Sequence, residues 1–186
     1  MTPKIYFHKI AVLGDSGVGK TALSCINKFS DDYEPTIKDS YRKNIQSSHY
    51  DFLLDVLDTP GAEEHLQIRE ECIKESECFI LIYSITSESS FAKIRNLHEE
   101  VRRLKTDTLS PVVLVGTKSD QSAERKISTR CGESLAQELN CRFMEISAKY
   151  EDVDFVFVSA LLILHQQYEL EENQSSRKPM AKCVIL

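Results

Sequence analysis

The chain has 186 residues, of which 41% are hydrophobic, and its formal net charge is −6. This length predicts one domain with a packed core, and the acidic balance argues against nucleic-acid partners and anionic membranes. No run reaches the roughly 20 apolar residues of a membrane span, and residues 1–9 lack the apolar centre of a signal peptide. The six cysteines show neither metal-ligand spacing nor a secreted framework, which predicts reduced thiols in the cytosol.

Hydrophobic periodicity predicts buried strands that alternate with helices. In chain order we expect a strand at Ile5–Leu13, a helix at Thr21–Lys28, a loop at Phe29–Ser40, a hairpin of strands at Tyr41–Ser48 and Asp51–Leu57, a helix at Glu63–Glu75, a strand at Cys78–Ser84, a helix from Phe91 to Leu104, a strand at Pro111–Gly116, a helix at Ser128–Leu139, a strand at Arg142–Ile146 and a helix at Asp154–Leu170. Ser128 is the expected N-cap of its helix. This order predicts an α/β fold: one three-layer domain (residues 1–170) with a six-stranded, mostly parallel sheet and helices on both faces. Residues 171–186 are expected to form a flexible polar tail.

A glycine-rich segment between the first strand and the first helix fits phosphate binding. Its residues match the pattern G-x-x-x-x-G-K-[ST] in the strand–turn–helix context that the pattern requires: Gly14, Asp15, Ser16, Gly17, Val18, Gly19, Lys20 and Thr21. Glycines allow successive backbone N–H groups to point at an anion, Lys20 supplies a positive charge, and the Thr21 hydroxyl can ligate Mg²⁺. The alternative, a turn that binds nothing, is disfavoured by Lys20 and Thr21 in their required places.

Three more polar segments follow predicted strands, where ligands of parallel sheets bind. Asp58 ends an apolar strand and suits the Mg²⁺ side of a phosphate site. In the segment 117–120 (Thr-Lys-Ser-Asp), the carboxylate of Asp120 can accept two hydrogen bonds from guanine, whereas adenine offers no such donor pair. In the segment 147–149 (Ser-Ala-Lys), a backbone N–H could meet the guanine O6. Two ordinary lysine-bearing loops are the alternative interpretation.

The chain resembles the Ras superfamily of small GTPases, most closely its Ras/Rap branch. The resemblance is carried by these motifs, by the segment 33–41 and by the C-terminal Cys-Val-Ile-Leu, and it covers essentially the whole chain. The resemblance implies a P-loop GTPase fold and a GTP/GDP switch that hydrolyses GTP in signal transduction. It implies that Mg²⁺ is held by Thr21, Thr36 and, through water, Asp58, and that Gly61, Lys20 and Thr36 act in catalysis. The implied nucleotide-binding residues are Gly14, Asp15, Ser16, Gly17, Val18, Gly19, Lys20, Thr21, Phe29, Tyr33, Thr36, Asp58, Gly61, Thr117, Lys118, Asp120, Ser147, Ala148 and Lys149.

The same resemblance implies protein partners, namely effector proteins, an exchange factor and a GTPase-activating protein. The implied effector surface consists of Tyr33, Glu34, Pro35, Thr36, Ile37, Lys38, Asp39, Ser40 and Tyr41. Lys38 stands where Ras and Rap carry an acidic residue, so we expect altered effector choice without loss of nucleotide. A solvated lysine without consequence is the alternative.

Three departures from the family pattern concern GTP hydrolysis. Ala62 occupies the place of the water-positioning glutamine, and a methyl group cannot orient water. Pro60 stiffens the same loop, and the Ser16 side chain could crowd an arginine finger. These residues predict slow intrinsic hydrolysis. The alternatives are a partner that supplies the missing group, and a constitutively GTP-loaded binding module with vestigial hydrolysis. A phosphate-loop kinase is disfavoured by the segments 117–120 and 147–149.

The C-terminal sequence predicts lipidation. Cys183 begins a C-a-a-X motif with terminal leucine, which predicts geranylgeranylation. Because one lipid chain binds membranes reversibly, we expect a prenyl-binding carrier, and residence on the cytoplasmic face of the plasma membrane in exchange with the cytosol. The apolar run at 155–164 suggests a homodimer or membrane-proximal face on the last helix, whereas coverage by flanking helices and the tail is the favoured alternative.

Overall fold

A computed structural model describes residues 4–24, 39–46, 50–59, 66–105 and 110–175. They contain a six-stranded sheet of order β2-β3-β1-β4-β5-β6. Strand β2 is antiparallel to β3, and all the other neighbouring strands are parallel. The predicted mostly parallel sheet with its hairpin is thereby confirmed. The strands are β1 (Lys4–Gly14), β2 (Asp39–Gln46), β3 (Tyr50–Asp58), β4 (Cys78–Ser84), β5 (Val112–Thr117) and β6 (Arg142–Glu145).

Most helices of the described residues lie between strands along the chain, and the last one follows β6. Ser128 caps the helix that begins at Thr129, as predicted, because its Oγ accepts a hydrogen bond from the Cys131 N–H at 3.2 Å. None of these helices is both long and apolar enough to cross a membrane. The helices are α1 (Lys20–Ser24), α2 (Leu66–Glu75), α3 (Glu88–Ala92), α4 (Ile94–Leu104), α5 (Thr129–Glu138) and α6 (Asp154–Ser175), with a 3₁₀ turn at Ser122–Glu124.

Helices cover both faces of the sheet. Alternate side chains of β1 point to opposite faces, so Val12 packs in one apolar cluster with Phe157 of α6. Leu13 packs in the other cluster with Leu97 of α4. Val12, Leu13 and Phe157 are fully buried, and burying each such side chain contributes about 1.5–3 kcal/mol. This three-layer arrangement confirms the predicted fold class.

Two helices differ from the sequence prediction. The region predicted as one helix from Phe91 forms α3 and α4, which are separated at Lys93. Helix α3 begins early because the Ser87 side chain accepts the Ser90 N–H at 3.3 Å. Helix α6 continues to Ser175, which moves the end of the helical region past the predicted Leu170. Glutamate and glutamine favour helix, so the helix outlasts the apolar periodicity that marked its predicted end.

The apolar run of α6 is mostly covered by the sheet. Within residues 155–164, the large side chains with substantial exposure are Phe155 (38%) and Leu162 (51%). The other side chains of this run are buried or half-buried. The sheet therefore provides most of the coverage that we expected from flanking helices and the tail.

A polar cluster joins α6 to the N-terminal half of β1, away from the strand ends where the ligand is expected. His8 Nδ1 lies 2.8 Å from Glu77 Oε2, and His8 Nε2 lies 3.2 Å from His165 Nε2. The ring of Phe52 packs edge-on against His165 with 5.1 Å between the ring centroids. Burial and the neighbouring His8 lower the pKa of His165, whereas the hydrogen bond with His8 lowers the pKa of Glu77.

Candidate functional site

The predicted ligand-binding segments meet at the carboxyl ends of the parallel strands. They follow β1, β3, β5 and β6, whose carboxyl ends point the same way because these strands are parallel. The segments are the phosphate loop (residues 14–21), Asp58, the residues 117–120 and the residues 147–149. The structure thus brings together the described part of the predicted site.

The phosphate loop turns sharply between β1 and α1. Gly17 and Gly19 have φ angles of 70° and 100°, in the left-handed region that favours glycine. Between them, the Val18 side chain is buried in the apolar cluster that contains Val12. Ser16 is exposed. The loop is therefore fixed to the core at Val18, while its outer part faces the solvent.

Lys20 lies at the base of this loop with only 6% of its surface exposed. Its Nζ donates a hydrogen bond to the Asp15 carbonyl oxygen at 2.7 Å. Burial lowers the pKa of Lys20, and the nearby carboxylates of Asp58 and Asp15 oppose that shift. A largely buried ammonium group beside a glycine-rich turn is a suitable binding partner for an anion.

Thr21 and Asp58 place two oxygen donors beside Lys20. The Thr21 hydroxyl donates to Asp58 Oδ2 at 2.5 Å, and Asp58 is fully buried at the end of β3. The following Thr59 hydroxyl donates to the Val12 carbonyl at 2.7 Å, which fixes the end of β3 to β1. Hydroxyl and carboxylate oxygens are the hard donors that Mg²⁺ prefers, so this pair fits the metal that the family pattern implies.

Thr117 connects the phosphate loop to the end of β5. Its side chain is buried, and its Oγ1 lies 2.5 Å from the Val18 carbonyl oxygen and 3.0 Å from the Tyr83 carbonyl oxygen. The hydroxyl has one proton, and the shorter distance assigns it to the Val18 carbonyl. Thr117 thus acts as a brace between the loop and the sheet.

The two loops predicted to bind a purine are joined by hydrogen bonds. The Ser147 hydroxyl donates to Asp120 Oδ1 at 2.6 Å. Glu151 Oε1 accepts the Ser147 N–H at 2.9 Å and the Ser119 hydroxyl at 3.2 Å. Lys118 has a φ angle of 63°, an unfavourable conformation for a residue with a side chain, and such conformations cluster at binding sites.

The remaining residues of the last segment surround this junction. Ala148 is half-buried, and the exposed Lys149 donates its backbone N–H to the Ser147 hydroxyl at 3.3 Å. Asp120 itself is exposed, so its carboxylate combines solvent access with a fixed hydrogen-bond partner. A carboxylate held in this way can accept hydrogen bonds from a ligand.

Sequence reasoning missed two contributors to the site. Lys93 Nζ lies 3.0 Å from Asp15 Oδ1 although 78 residues separate them in sequence. Glu151 connects the two loops that lie after β5 and β6. Neither residue belongs to a motif, so only the three-dimensional arrangement reveals these contacts.

Several predicted residues lie outside the part of the chain that the structure describes. Of the effector surface, the described residues belong to β2, which forms one edge of the sheet. There Ser40 is exposed and donates to Asp55 Oδ1 at 2.8 Å, while Tyr41 is half-buried. The predicted residues outside the description are Phe29, Tyr33, Glu34, Pro35, Thr36, Ile37, Lys38, Pro60, Gly61, Ala62 and Cys183.

Comparison with known proteins agrees with this geometry. The profile of the Ras family matches residues 9–166. The chain belongs to the Ras family. It is 41% identical to Ras-like protein 1 of Pyricularia oryzae, in an alignment that covers 95% of this chain and 81% of the relative. It is 36% identical to Protein ras-2 of Neurospora crassa, with 98% of each protein covered. Ras-like protein rasV of Dictyostelium discoideum is 39% identical over 94% of this chain and 78% of its own length.

Membership of the Ras family makes this protein a small GTPase and a GTP-binding switch. Hydrolysis of GTP is the general activity of the family, and its members bind GTP and GDP, in general with Mg²⁺. Effectors, exchange factors and activating proteins are the family's general classes of partner. The predicted superfamily is therefore confirmed.

Proposed function

We propose that this Ras-family protein is a membrane-anchored switch of Ras/Rap type whose intrinsic GTP hydrolysis is slow. The convergence of Lys20, the Thr21–Asp58 pair and the joined loops after β5 and β6 carries the nucleotide-binding part of the proposal. An ammonium group, hard oxygen donors and a fixed carboxylate at one sheet edge are the groups that a guanine nucleotide with Mg²⁺ requires.

In this proposal the phosphate loop binds the phosphates through its backbone N–H groups and Lys20. Thr21, Thr36 and, through water, Asp58 hold Mg²⁺. When bound, the metal neutralises phosphate charge. The phosphate-side binding residues are Gly14, Asp15, Ser16, Gly17, Val18, Gly19, Lys20, Thr21, Tyr33, Thr36, Asp58 and Gly61. Support comes from the buried Lys20 and from the hydrogen bond of Thr21 with Asp58, which holds the two oxygens together at the last residue of the loop.

Guanine recognition is assigned to the loops after β5 and β6. Asp120 would accept hydrogen bonds from the guanine N1–H and amine, and the backbone of Ala148 would donate to O6. Phe29, Thr117, Lys118, Ser147 and Lys149 complete the proposed base-binding set. The hydrogen bond from Ser147 supports this assignment because it holds the Asp120 carboxylate in one orientation before the base arrives.

Slow hydrolysis is proposed from the residues around the terminal phosphate. Gly61, Lys20 and Thr36 remain to position that phosphate, but Ala62 cannot orient the attacking water. Pro60 removes an N–H donor from the same loop. The exposed side chain of Ser16 at the loop's outer part supports steric interference with an inserted arginine finger. A GTP-loaded binding module with vestigial hydrolysis is the second candidate function, and Ala62 favours it directly.

Membrane attachment is proposed through a geranylgeranyl group on Cys183, with a prenyl-binding carrier that allows exchange between the cytosol and the cytoplasmic face of the plasma membrane. Effector proteins would bind the segment 33–41. A homodimer through α6 would use exposed apolar side chains of that helix, which among the described residues include Phe155, Leu162 and Tyr168.

Two measurements test this function. Calorimetry with Mg²⁺ should show binding of GDP and GTP but weak binding of ADP, and Asp120→Ala should remove the preference for guanine. Single-turnover hydrolysis should be slow in the natural chain and at least about tenfold faster in Ala62→Gln, since positioning the water is the missing contribution. Equal hydrolysis rates in the two proteins would refute the assignment to Ala62.

A further inference from the structure

The phosphate loop contains a carboxylate, and its negative charge opposes the binding of the phosphates that are the loop's proposed ligand. Asp15 lies directly after Gly14, and its backbone oxygen accepts the hydrogen bond from Lys20 Nζ. Its side chain is 18% exposed, so its charge is only partly screened by solvent. A negative charge at this place repels a polyphosphate, unless a nearby cation offsets it.

Lys93 supplies that cation from a distant part of the chain. Its Nζ lies 3.0 Å from Asp15 Oδ1, and the same oxygen accepts the Ser16 N–H at 2.9 Å. The carboxylate is therefore held between an ammonium group and a backbone donor of the loop. The two contacts fix the Asp15 side chain, and the positive charge of Lys93 offsets the negative charge of Asp15 within the loop.

The fold determines where Lys93 stands. It occupies the junction of α3 and α4, where its N–H donates to the Ser89 carbonyl at 3.3 Å and its carbonyl accepts the Leu97 N–H at 3.1 Å. The next residue, Ile94, is fully buried in the apolar core. The interruption between the two helices thus places the lysine beside the loop, and the core fixes its backbone.

We propose that Lys93 is a positioning residue for nucleotide binding, which neutralises and orients the Asp15 carboxylate so that the phosphate loop can accept a nucleotide's charged phosphates. This inference rests on the proposed function, because it assumes that the loop binds a guanine nucleotide. Lys93 contacts the loop through Asp15 and does not itself need to contact the nucleotide.

The test measures the release of a fluorescent GDP analogue from the full chain with Mg²⁺. In Lys93→Ala, Asp15 keeps its charge without the partner, so release should be about threefold to tenfold faster. Lys93→Arg keeps the cation and should restore slow release. In the Asp15→Asn background, which retains an oxygen that can accept the Ser16 N–H but has no charge to offset, Lys93→Ala should change the release rate by less than about twofold. The accelerating effect of Lys93→Ala should shrink in about 1 M salt, where charges are screened within about 3 Å.

Arg95 provides a matched control on α4. It forms an exposed, bidentate ion pair with Glu138 of α5, away from the phosphate loop. Arg95→Ala should therefore leave the release rate unchanged. Equal release by Lys93→Ala and the natural chain would overturn the inference, as would an Asp15→Asn background in which Lys93→Ala accelerates release as much as it does in the natural chain.

The experiment also separates this inference from the proposed function. If the natural chain binds GDP and only the Lys93 series fails to behave as expected, the role of Lys93 is refuted and the switch function stands. If the natural chain does not bind GDP, both are refuted. A loss of thermal stability in the nucleotide-free Lys93→Ala chain that equals the loss in the loaded chain would indicate a merely structural lysine, and would also overturn the inference.

Discussion

Replacement of Thr117 by valine changes one buried hydroxyl to a methyl group with little change in volume. The hydroxyl donates to the Val18 carbonyl of the phosphate loop at 2.5 Å, and Thr117 is only 1% exposed. The variant therefore leaves a carbonyl oxygen of a buried residue without this donor. We expect the substitution to release the loop from the end of β5 without disturbing the apolar core.

The size of the effect follows from the cost of a buried polar group that loses its partner. That cost is about 1–3 kcal/mol, because water does not reach the group to replace the bond. For a domain of this size, about 1 kcal/mol lowers the melting temperature by roughly 2–4 °C, so we expect a decrease of about 2–12 °C. If the same bond holds the loop in its nucleotide-binding shape, the full cost corresponds to about fivefold to 150-fold faster nucleotide release.

The assay measures GDP release and thermal unfolding on the same protein preparations. Thr117→Ser keeps the hydroxyl and should stay within about threefold of the natural release rate, a difference of less than 1 kcal/mol. Ser76→Ala is the control for location. The Ser76 hydroxyl is also buried and donates to the Cys72 carbonyl at 2.8 Å, but it lies two residues before β4, at the amino end of that strand. This control should lose stability without faster release.

Two results would refute the reasoning. Thr117→Val could lose stability as expected and yet release GDP at the natural rate, which would show that the brace does not shape the loop for its ligand. Alternatively, Ser76→Ala could accelerate release as much as Thr117→Val, which would show that release follows global stability and not the local bond.

Three further predictions follow from the described residues. Gly14→Ala should lower the free energy of unfolding in urea by about 1–3 kcal/mol, because the added Cβ would lie 2.5 Å from a carbonyl oxygen of β4. A variant as stable as the natural protein would contradict this steric argument. Ser147→Ala removes the hydrogen bond to Asp120, so the preference for GDP over ADP in calorimetry should fall about threefold to tenfold. An unchanged preference would show that the Asp120 carboxylate needs no hydrogen-bond partner. Burial and a neighbouring imidazole lower the pKa of His165, so the unfolded chain takes up a proton first as the pH falls through about 6.5. The free energy of unfolding should therefore decrease from pH 7.5 to pH 5.5, and His165→Gln should flatten this slope; identical slopes would exclude His165 as a contributor.

Local chemistry explains why much of the fold was predictable from the sequence. The apolar runs at Cys78–Ser84 and at 112–116 are too short and too continuous for surface helices, and the structure places both as central strands. Ser128 was recognised as a helix cap because its side chain can accept a hydrogen bond from an N–H that lacks a helical partner. The phosphate loop was recognisable because all the residues of its motif lie within eight consecutive positions.

The unpredicted features depend on contacts between distant residues or on weak local signals. The interruption at Lys93 could not be read from periodicity, because Phe91 and Ile94 satisfy helical spacing on both sides of it. The pairing of Lys93 with Asp15 joins two segments that no motif connects. The helix extension to Ser175 was missed because polar helix formers carry no apolar stripe.

The four residues from Thr117 to Asp120 have contacts in two directions. At one end Thr117 is bonded to the phosphate loop, and at the other Asp120 is bonded to the loop that follows β6. In the proposed function, recognition of the purine and retention of the phosphates would consequently depend on one short piece of backbone. A regulatory protein that displaced either neighbouring loop would therefore distort the other half of the pocket. A displacement at one loop would then be enough to release the whole nucleotide.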